Sequence, residues 1–203
     1  MFRTPYNVEP REEGFNLFLI SREAFIEDRY IFVFQDVRGR YMSEGEFVDV
    51  RPIIPDKSGD QDIDESTDTY DAMEWLINHV DNNNGKIGIL GTSYPGFYAT
   101  MSLPGAHPAL KAVSPQAPIG DWFIGDDWHH NGAFFLLDAF NFFYHNGRPR
   151  PEPTRQRNPG FSWPVEDSYE FFYSFGTGEE HCGKIFWRYH CLLESTCQSS
   201  GLR

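Results

Sequence analysis

No cysteine occurs in the first 181 of the 203 residues; Cys182, Cys191 and Cys197 all fall in the last 22. An odd count, with spacings that lack the paired short steps of a structural zinc site, argues against both a disulfide framework and a metal-stapled domain. Basic side chains are also scarce: 17 Lys and Arg stand against 30 Asp and Glu, a formal charge of −13. Such a chain repels a phosphate backbone and an anionic bilayer surface, so neither nucleic acid nor membrane is the expected partner. No apolar run reaches the 18 or so residues of a membrane span, and the opening MFRTPYNVEP lacks the apolar stretch of a secretory leader. The chain itself therefore reads as cytoplasmic by default. What it does contain is ordinary for a globular protein, with 40% hydrophobic residues and 18 glycines. The length suits one domain, or one with a large insertion, and no internal repeat is evident.

Along the chain, residues 30–36 (YIFVFQD) form a β-branched and aromatic run that predicts a strand buried on both faces. An acidic surface loop is expected over 42–66. Tyr70, Met73, Leu76, Ile77 and Val80 then trace one stripe of an amphipathic helix over about 67–80, closed by Asn82-Asn83-Asn84-Gly85. A second strand is expected at 86–91 and a third near Ala109–Ser114. Between them a helix fits from Pro95 to Leu103, its proline in the first turn and Pro104 at its end. Alternating strands and helices predict an α/β fold with a parallel sheet. From Trp122 to Phe175 the composition changes, with 16 of the 34 aromatics in 54 residues. Residues 133–144 (AFFLLDAFNFFY) predict a helix apolar on nearly every side, which other protein must cover. This segment is either a packed helical subdomain or a cap walling an apolar pocket, with Arg148–Pro159 as its surface loop.

Gly91-Thr92-Ser93-Tyr94-Pro95-Gly96 stands between a predicted strand and a predicted helix. A serine on such a turn has its Oγ exposed and backbone N–H groups nearby to stabilise an oxyanion, provided small residues let strand and helix approach closely. The same pattern also serves as a plain α/β connection, so the motif alone decides little.

Three longer runs supply context: YIFVFQDVRGRYMSEGEF, GKIGILGTSYPGF and HPALKAVSPQAPIGDWFIGDDWHHNGAFF. Together they resemble the serine hydrolases that group α-amino acid ester hydrolases, cocaine esterase-like enzymes and Xaa-Pro dipeptidyl-peptidases, and most of all the first branch. The resemblance spans about residues 3–178 and implies a partial α/β-hydrolase core over 1–121 and the start of a helical cap over 122–181. It implies Ser93 as the nucleophile of a covalent acyl-enzyme, the Tyr94 backbone N–H as one oxyanion donor and the Tyr6 phenol as the second. Without it, Tyr6 reads as a surface tyrosine beside a proline turn. Asp127, with Asp126 as an adjacent alternative, matches the carboxylate cluster that binds a substrate's α-ammonium group; both aspartates also suit a helix N-terminus. His129 and His130 lie beside them, but adjacent histidines diverge, and the resemblance implies no metal and no cofactor. The implied ligand is a small ester or amide, and homo-oligomerisation is left open for full-length relatives.

A serine nucleophile needs a histidine base and an acid that orients it. None of His79, His107, His129, His130, His145, His181 and His190 stands where the resemblance requires the base, and the chain reads as truncated at both ends. Three readings therefore compete: a serine hydrolase acting on α-amino acyl esters or amides, an inactive fragment or pseudoenzyme, and an acidic binding module. Residues 182–203, which hold every cysteine, read as an aberrant tail. One permissible set of codons for CGKIFWRYHCLLESTCQSSGLR, read after dropping its first base, encodes AEKYFGDTIAFWNRLVNHPAYD, a cysteine-free peptide with a helical apolar pattern. Sequencing the coding DNA around codon 182 should reveal codons compatible with that second frame; codons that cannot encode such a peptide would rule the frameshift out.

Overall fold

A computed structural model describes residues 1–9, 23–121, 127–131, 133–148 and 152–174, with His129 described in its backbone alone. Asp126 and the 182–203 tail lie outside these residues. Two parallel strand pairs form the centre. β1 (Phe2–Thr4) pairs with β2 (Phe34–Asp36), and β3 (Ile87–Thr92) with β4 (Leu110–Gln116). Met1 joins the pairs, donating its amino group to the Gly88 carbonyl at 2.7 Å and accepting from the Leu90 N–H at 3.1 Å. That is the pattern of a parallel bridge opposite Ile89, so the strand order across the centre is β2-β1-β3-β4.

The expected strand over 30–36 is shorter than its apolar run. β1 offers only three residues to pair with, and the Phe2 N–H closes the ladder on the Val33 carbonyl at 2.8 Å. Upstream, α1 (Glu23–Glu27) is fully exposed and leads through exposed Tyr30 and Ile31 into the sheet. α2 (Glu65–His79) begins two residues earlier than its stripe predicts. Asp64 accepts from the Ser66 and Thr67 N–H groups while the Thr67 hydroxyl accepts from the Asp64 N–H, a reciprocal cap that fixes the start. α3 (Tyr94–Met101) follows β3 after the single residue Ser93.

α2 and α3 cover one face of the sheet: Met73, Ile89 and Ala99 are buried together, with Ile87, Leu110 and Val113 against them. Strand residues alternate between faces, and on the opposite face Gly88, Ala112 and Ser114 are exposed. A parallel sheet is ordinarily covered on both sides, and among the described residues this one is covered on one. The cap packs against α3. β5 (His129–His130) and β6 (Ala133–Phe134) form a short antiparallel hairpin, so the helix expected from 133 starts only at α4 (Leu136–Asn146). Phe140 and Phe143 of α4 are fully buried against Phe171 and Phe172 of α5 (Ser168–Tyr173), and Tyr94, Phe97 and Tyr98 of α3 belong to the same cluster. Leu137 of α4 remains exposed, as do Phe134 and Phe135 ahead of the helix, so this apolar segment is covered on one side only among the described residues.

One buried ion pair ties sheet to helix. Arg3, on β1, donates to the Glu65 carboxylate at 3.3 Å, to the Thr69 hydroxyl and, through Nε, to the Gln35 side chain at 2.9 Å. Its guanidinium lies 5.6 Å from the Tyr98 ring centroid. Both partners are almost wholly buried, and burial raises the Glu65 pKa while Arg3 opposes that rise. Removing one member of such a pair leaves an uncompensated buried group. Arg3→Met should accordingly lower unfolding free energy by about 3–5 kcal/mol, read from the urea midpoint; a loss below about 1 kcal/mol would contradict a structural role for the pair.

Candidate active site

The strand order itself locates a crevice. The chain steps from β1 outward to β2, then returns past β1 to lay down β3 and continues outward to β4. Connections that leave adjacent strands in opposite directions part at the strands' carboxyl ends, where a ligand can enter. The residues just beyond those two ends are Pro5-Tyr6 after β1 and Ser93 after β3. Residues 87 apart in sequence are thus brought to one place by topology.

Ser93 has φ 63° and ψ −123°, a conformation that costs an L-residue on the order of 1–3 kcal/mol. Its N–H donates to the Gln116 carbonyl of β4 at 2.9 Å, and its carbonyl accepts the first helical bond of α3, from the Phe97 N–H at 3.0 Å. The turn is tight enough to demand glycine on both flanks. A Cβ on Gly91 would stand 2.2 Å from the Pro95 carbonyl oxygen, and one on Gly96 would stand 2.7 Å from that of Gln116. The G-x-S-x-x-G spacing therefore records a packing requirement, and the serine it places is exposed at the head of α3. The backbone N–H of Tyr94 opens that helix, in the turn whose donors lack intrahelical acceptors.

Tyr6 packs edge-on against Tyr94, with ring centroids 6.1 Å apart. Its phenol pKa is pushed up to about 12, first by burial, then by the carboxylate of Asp49, with Arg40 opposing and Asp127 adding to the rise. The phenol is therefore a neutral hydrogen-bond donor throughout the physiological range. Asp127 acts on Tyr6 from the segment just before β5, and Tyr6 in turn packs on Tyr94, the residue after Ser93. Asp127 caps no helix, since the next one, α4, begins nine residues later behind Phe135. That removes the helix-terminus alternative for Asp127; Asp126 lies outside the described residues.

Two residues were invisible as site components in the sequence. Asp49 belongs to the loop expected to be a plain acidic surface. Its Oδ1 accepts from the Tyr94 hydroxyl at 2.7 Å, and the same hydroxyl accepts from the Val50 N–H at 2.7 Å. This pins the loop over the start of α3, and burial raises the Tyr94 pKa well above its ordinary range. Arg40 lies just beyond the strand expected over 30–36 and drew no functional reading, yet it is buried and reaches the Pro5 carbonyl. The signal for Asp49 was the apolar pair Phe47-Val48 inside an otherwise acidic stretch.

Among the described residues no histidine hydrogen-bonds the Ser93 hydroxyl. His79 bonds the Trp75 carbonyl, and His107 is buried between the Ala109 N–H and Glu74. His130 and His145 are exposed. No group of three or more His, Cys, Asp or Glu side chains among the described residues is placed to hold a metal, and no described helix is long and apolar enough to cross a membrane. What this arrangement offers chemically is an exposed serine hydroxyl at the head of α3, with the Tyr6 ring packed against the residue that follows it.

Comparison with known proteins bears directly on this geometry. The family model for X-Pro dipeptidyl-peptidase (S15 family) matches residues 1–162. Cocaine esterase from Rhodococcus sp. (strain MB1 Bresler) is 26% identical over 144 residues, covering 68% of this chain and 22% of that protein. Xaa-Pro dipeptidyl-peptidase from Lactiplantibacillus plantarum is 30% identical over 93 residues, 39% of this chain and 11% of that one. Among solved structures, an α-amino acid ester hydrolase superposes with TM-score 0.73 at 34% identity, covering 92% of this chain and 30% of its own. An aminopeptidase from a marine sediment Thaumarchaeota archaeon also reaches 0.73, at 33% identity, covering 93% and 31%. The chain spans under a third of the length of each of these relatives. With the strained serine at its elbow, the partial α/β sheet and a match over most of its length, the chain belongs to the X-Pro dipeptidyl-peptidase (S15) family of hydrolases.

Proposed function

We propose that this chain carries the nucleophile half of a serine hydrolase that cleaves esters or amides of α-amino acyl groups through a covalent acyl-enzyme. The observation that carries the reading is Ser93, held at φ 63° between two obligatory glycines, with Tyr6 packed against the next residue, Tyr94. In this reaction Ser93 Oγ attacks the acyl carbonyl as its proton passes to a base. Negative charge gathers on the carbonyl oxygen, which accepts from the Tyr94 N–H and the Tyr6 hydroxyl. The intermediate collapses by expelling the alcohol or amine, and water later releases the acyl group. The preference for α-amino groups rests on Asp127, whose carboxylate attracts an ammonium and leaves a neutral acyl group without a partner. An inactive-fragment reading is favoured by one observation, that no described histidine bonds Ser93. The two readings meet in a single expectation: acylation by a reactive ester proceeds, while turnover stays close to that of buffer.

Incubation with the p-nitrophenyl ester of an α-amino acid should add one acyl group per chain by mass spectrometry, absent in Ser93→Ala. Turnover many times faster than buffer, lost in Ser93→Ala, would refute the fragment reading, whereas no adduct at all would sink the hydrolase reading.

Tyr6→Phe should slow acylation by about 10²–10³-fold, the usual effect of losing one oxyanion donor. The phenol's folded pKa of about 12 lies above its ordinary value near 10. Its contribution to stability is therefore complete below about pH 10 and is lost as pH rises from there toward 12. Acylation of the wild-type chain should show no break at pH 10; a break there would place the phenol in an ordinary environment.

Asp127→Asn should slow acylation by the α-amino ester several-fold, about the 1 kcal/mol of an exposed ion pair, and leave the corresponding ester without an amino group unchanged. Equal effects on both esters would remove Asp127 from recognition of the ammonium group.

A further inference from the structure

Arg40 is a buried cation that the chemistry above does not use. It is about 5% exposed and lies in the turn that follows β2, where its N–H donates to the Val37 carbonyl and its carbonyl accepts from the Ser43 N–H. The turn is itself pressed against the acidic loop, since a Cβ on Gly39 would stand 2.1 Å from the Phe47 nitrogen. From this fixed base the guanidinium divides its donors. Nε donates to the Pro5 carbonyl at 3.0 Å, and Nη1 donates to the Asn146 carbonyl at 2.6 Å. The guanidinium carbon lies 5.2 Å from the Tyr41 ring centroid and 5.0 Å from that of Phe47. Among the described residues it forms no ion pair with a carboxylate.

Each acceptor is informative. Pro5 is the residue before the oxyanion tyrosine, so the bond to its carbonyl fixes the peptide that aims the Tyr6 side chain. Asn146 ends α4, and a terminal carbonyl of a helix lacks an intrahelical donor and carries the negative end of the helix dipole. A planar guanidinium can hold both at once because its donors form a rigid fork; an ammonium is a single point charge on a flexible stem. We propose that Arg40 is a positioning residue that locks the oxyanion-hole tyrosine and the cap helix α4 into one frame, so that the floor and the roof of the crevice are set together. The proposal rests on the hydrolase reading for what Tyr6 does, and on the two hydrogen bonds alone for what Arg40 holds. The charged and titratable groups that face Tyr6 are consistent with this arrangement. Asp49 reaches it from the acidic loop and Asp127 from the segment before β5, Tyr94 packs on it from α3, and Arg40 acts against the two carboxylates.

The test uses the full 203-residue chain as wild type, Arg40→Met and Arg40→Lys, with two readouts. Hydrogen–deuterium exchange is followed in segments 3–9 and 136–146, with β3 as the internal control. Arg40→Met should accelerate exchange in both segments by about tenfold or more while β3 is unchanged, as expected for loss of two charge-assisted bonds. Arg40→Lys should restore protection in one segment at most, because its ammonium cannot span both carbonyls. Acylation of Ser93 by the α-amino p-nitrophenyl ester should slow about tenfold at saturation in Arg40→Met, with the half-saturating ester concentration unchanged. That split is one which general loosening of the fold would not produce. Faster exchange confined to a single segment, exchange raised equally in β3 in both variants, or full protection in Arg40→Lys would overturn the proposal. If the wild-type chain forms no acyl adduct, the hydrolase reading fails and the exchange data alone decide whether Arg40 links the two segments.

Discussion

The close approach of β3 to α3 is the constraint on which the rest of this site depends. With only Ser93 between strand and helix, the backbone must turn through a conformation that disfavours a side chain, and Gly91 and Gly96 must lack one so that Pro95 and Gln116 can come near. The strain is over-determined by bonds on both sides, to Gln116 in the neighbouring strand and to Phe97 in the helix. In return the hydroxyl is lifted clear of the sheet at the point where donors at a helix N-terminus lack acceptors. A longer connection would relieve the strain and let the serine settle against the sheet.

Around this point the fold assembles the crevice from distant pieces. The connections after β1 and β3 leave these parallel neighbours in opposite directions, which brings Tyr6 beside Tyr94, and the Tyr94 side chain then recruits Asp49, pinning the 42–64 loop across the head of α3. Arg3 anchors β1 to α2 beneath, and Arg40 links the Pro5 carbonyl to the end of α4 above. In this acidic chain, both arginines are buried at junctions between elements, where one fork of donors satisfies several carbonyls or carboxylates at once. The aromatic cluster of Phe140, Phe143, Phe171 and Phe172 extends to Tyr94, Phe97 and Tyr98 of α3, so apolar burial joins cap to core, and the Arg40–Asn146 bond adds a polar tie.

Much of the α/β core was legible in the sequence because its signals are local. The stripe from Tyr70 to Val80, the Asn-Gly stop and the apolar run at 86–91 each specify an element within one window, and the glycine spacing around Ser93 reports a backbone demand that survives in the fold. β1 was not legible, since three residues, Phe-Arg-Thr, carry no periodicity and the two buried ones are polar, one of them an arginine whose partners lie 32 to 66 residues away. The early start of α2 was set by the Asp64 cap, which the apolar stripe does not record. Arg40 and Asp49 were hidden for the same reason as β1: what makes them part of the site is a carbonyl 106 residues off and a hydroxyl 45 residues off. The hairpin at 129–134 escaped because two-residue strands are too short for an alternating pattern. Only the family resemblance singled out Tyr6 and Asp127 as site candidates; residue chemistry alone favoured a surface tyrosine and left a helix cap open for Asp127.

Ser93 as a nucleophile made reactive by its setting is the central claim about this chain. Treating the folded chain with a fluorophosphonate and locating the adduct by peptide mass spectrometry tests this most directly. A single adduct on the peptide containing Ser93, lost in Ser93→Ala and on unfolding, is the predicted result; an adduct spread over other serines, or none on the folded chain, would contradict it.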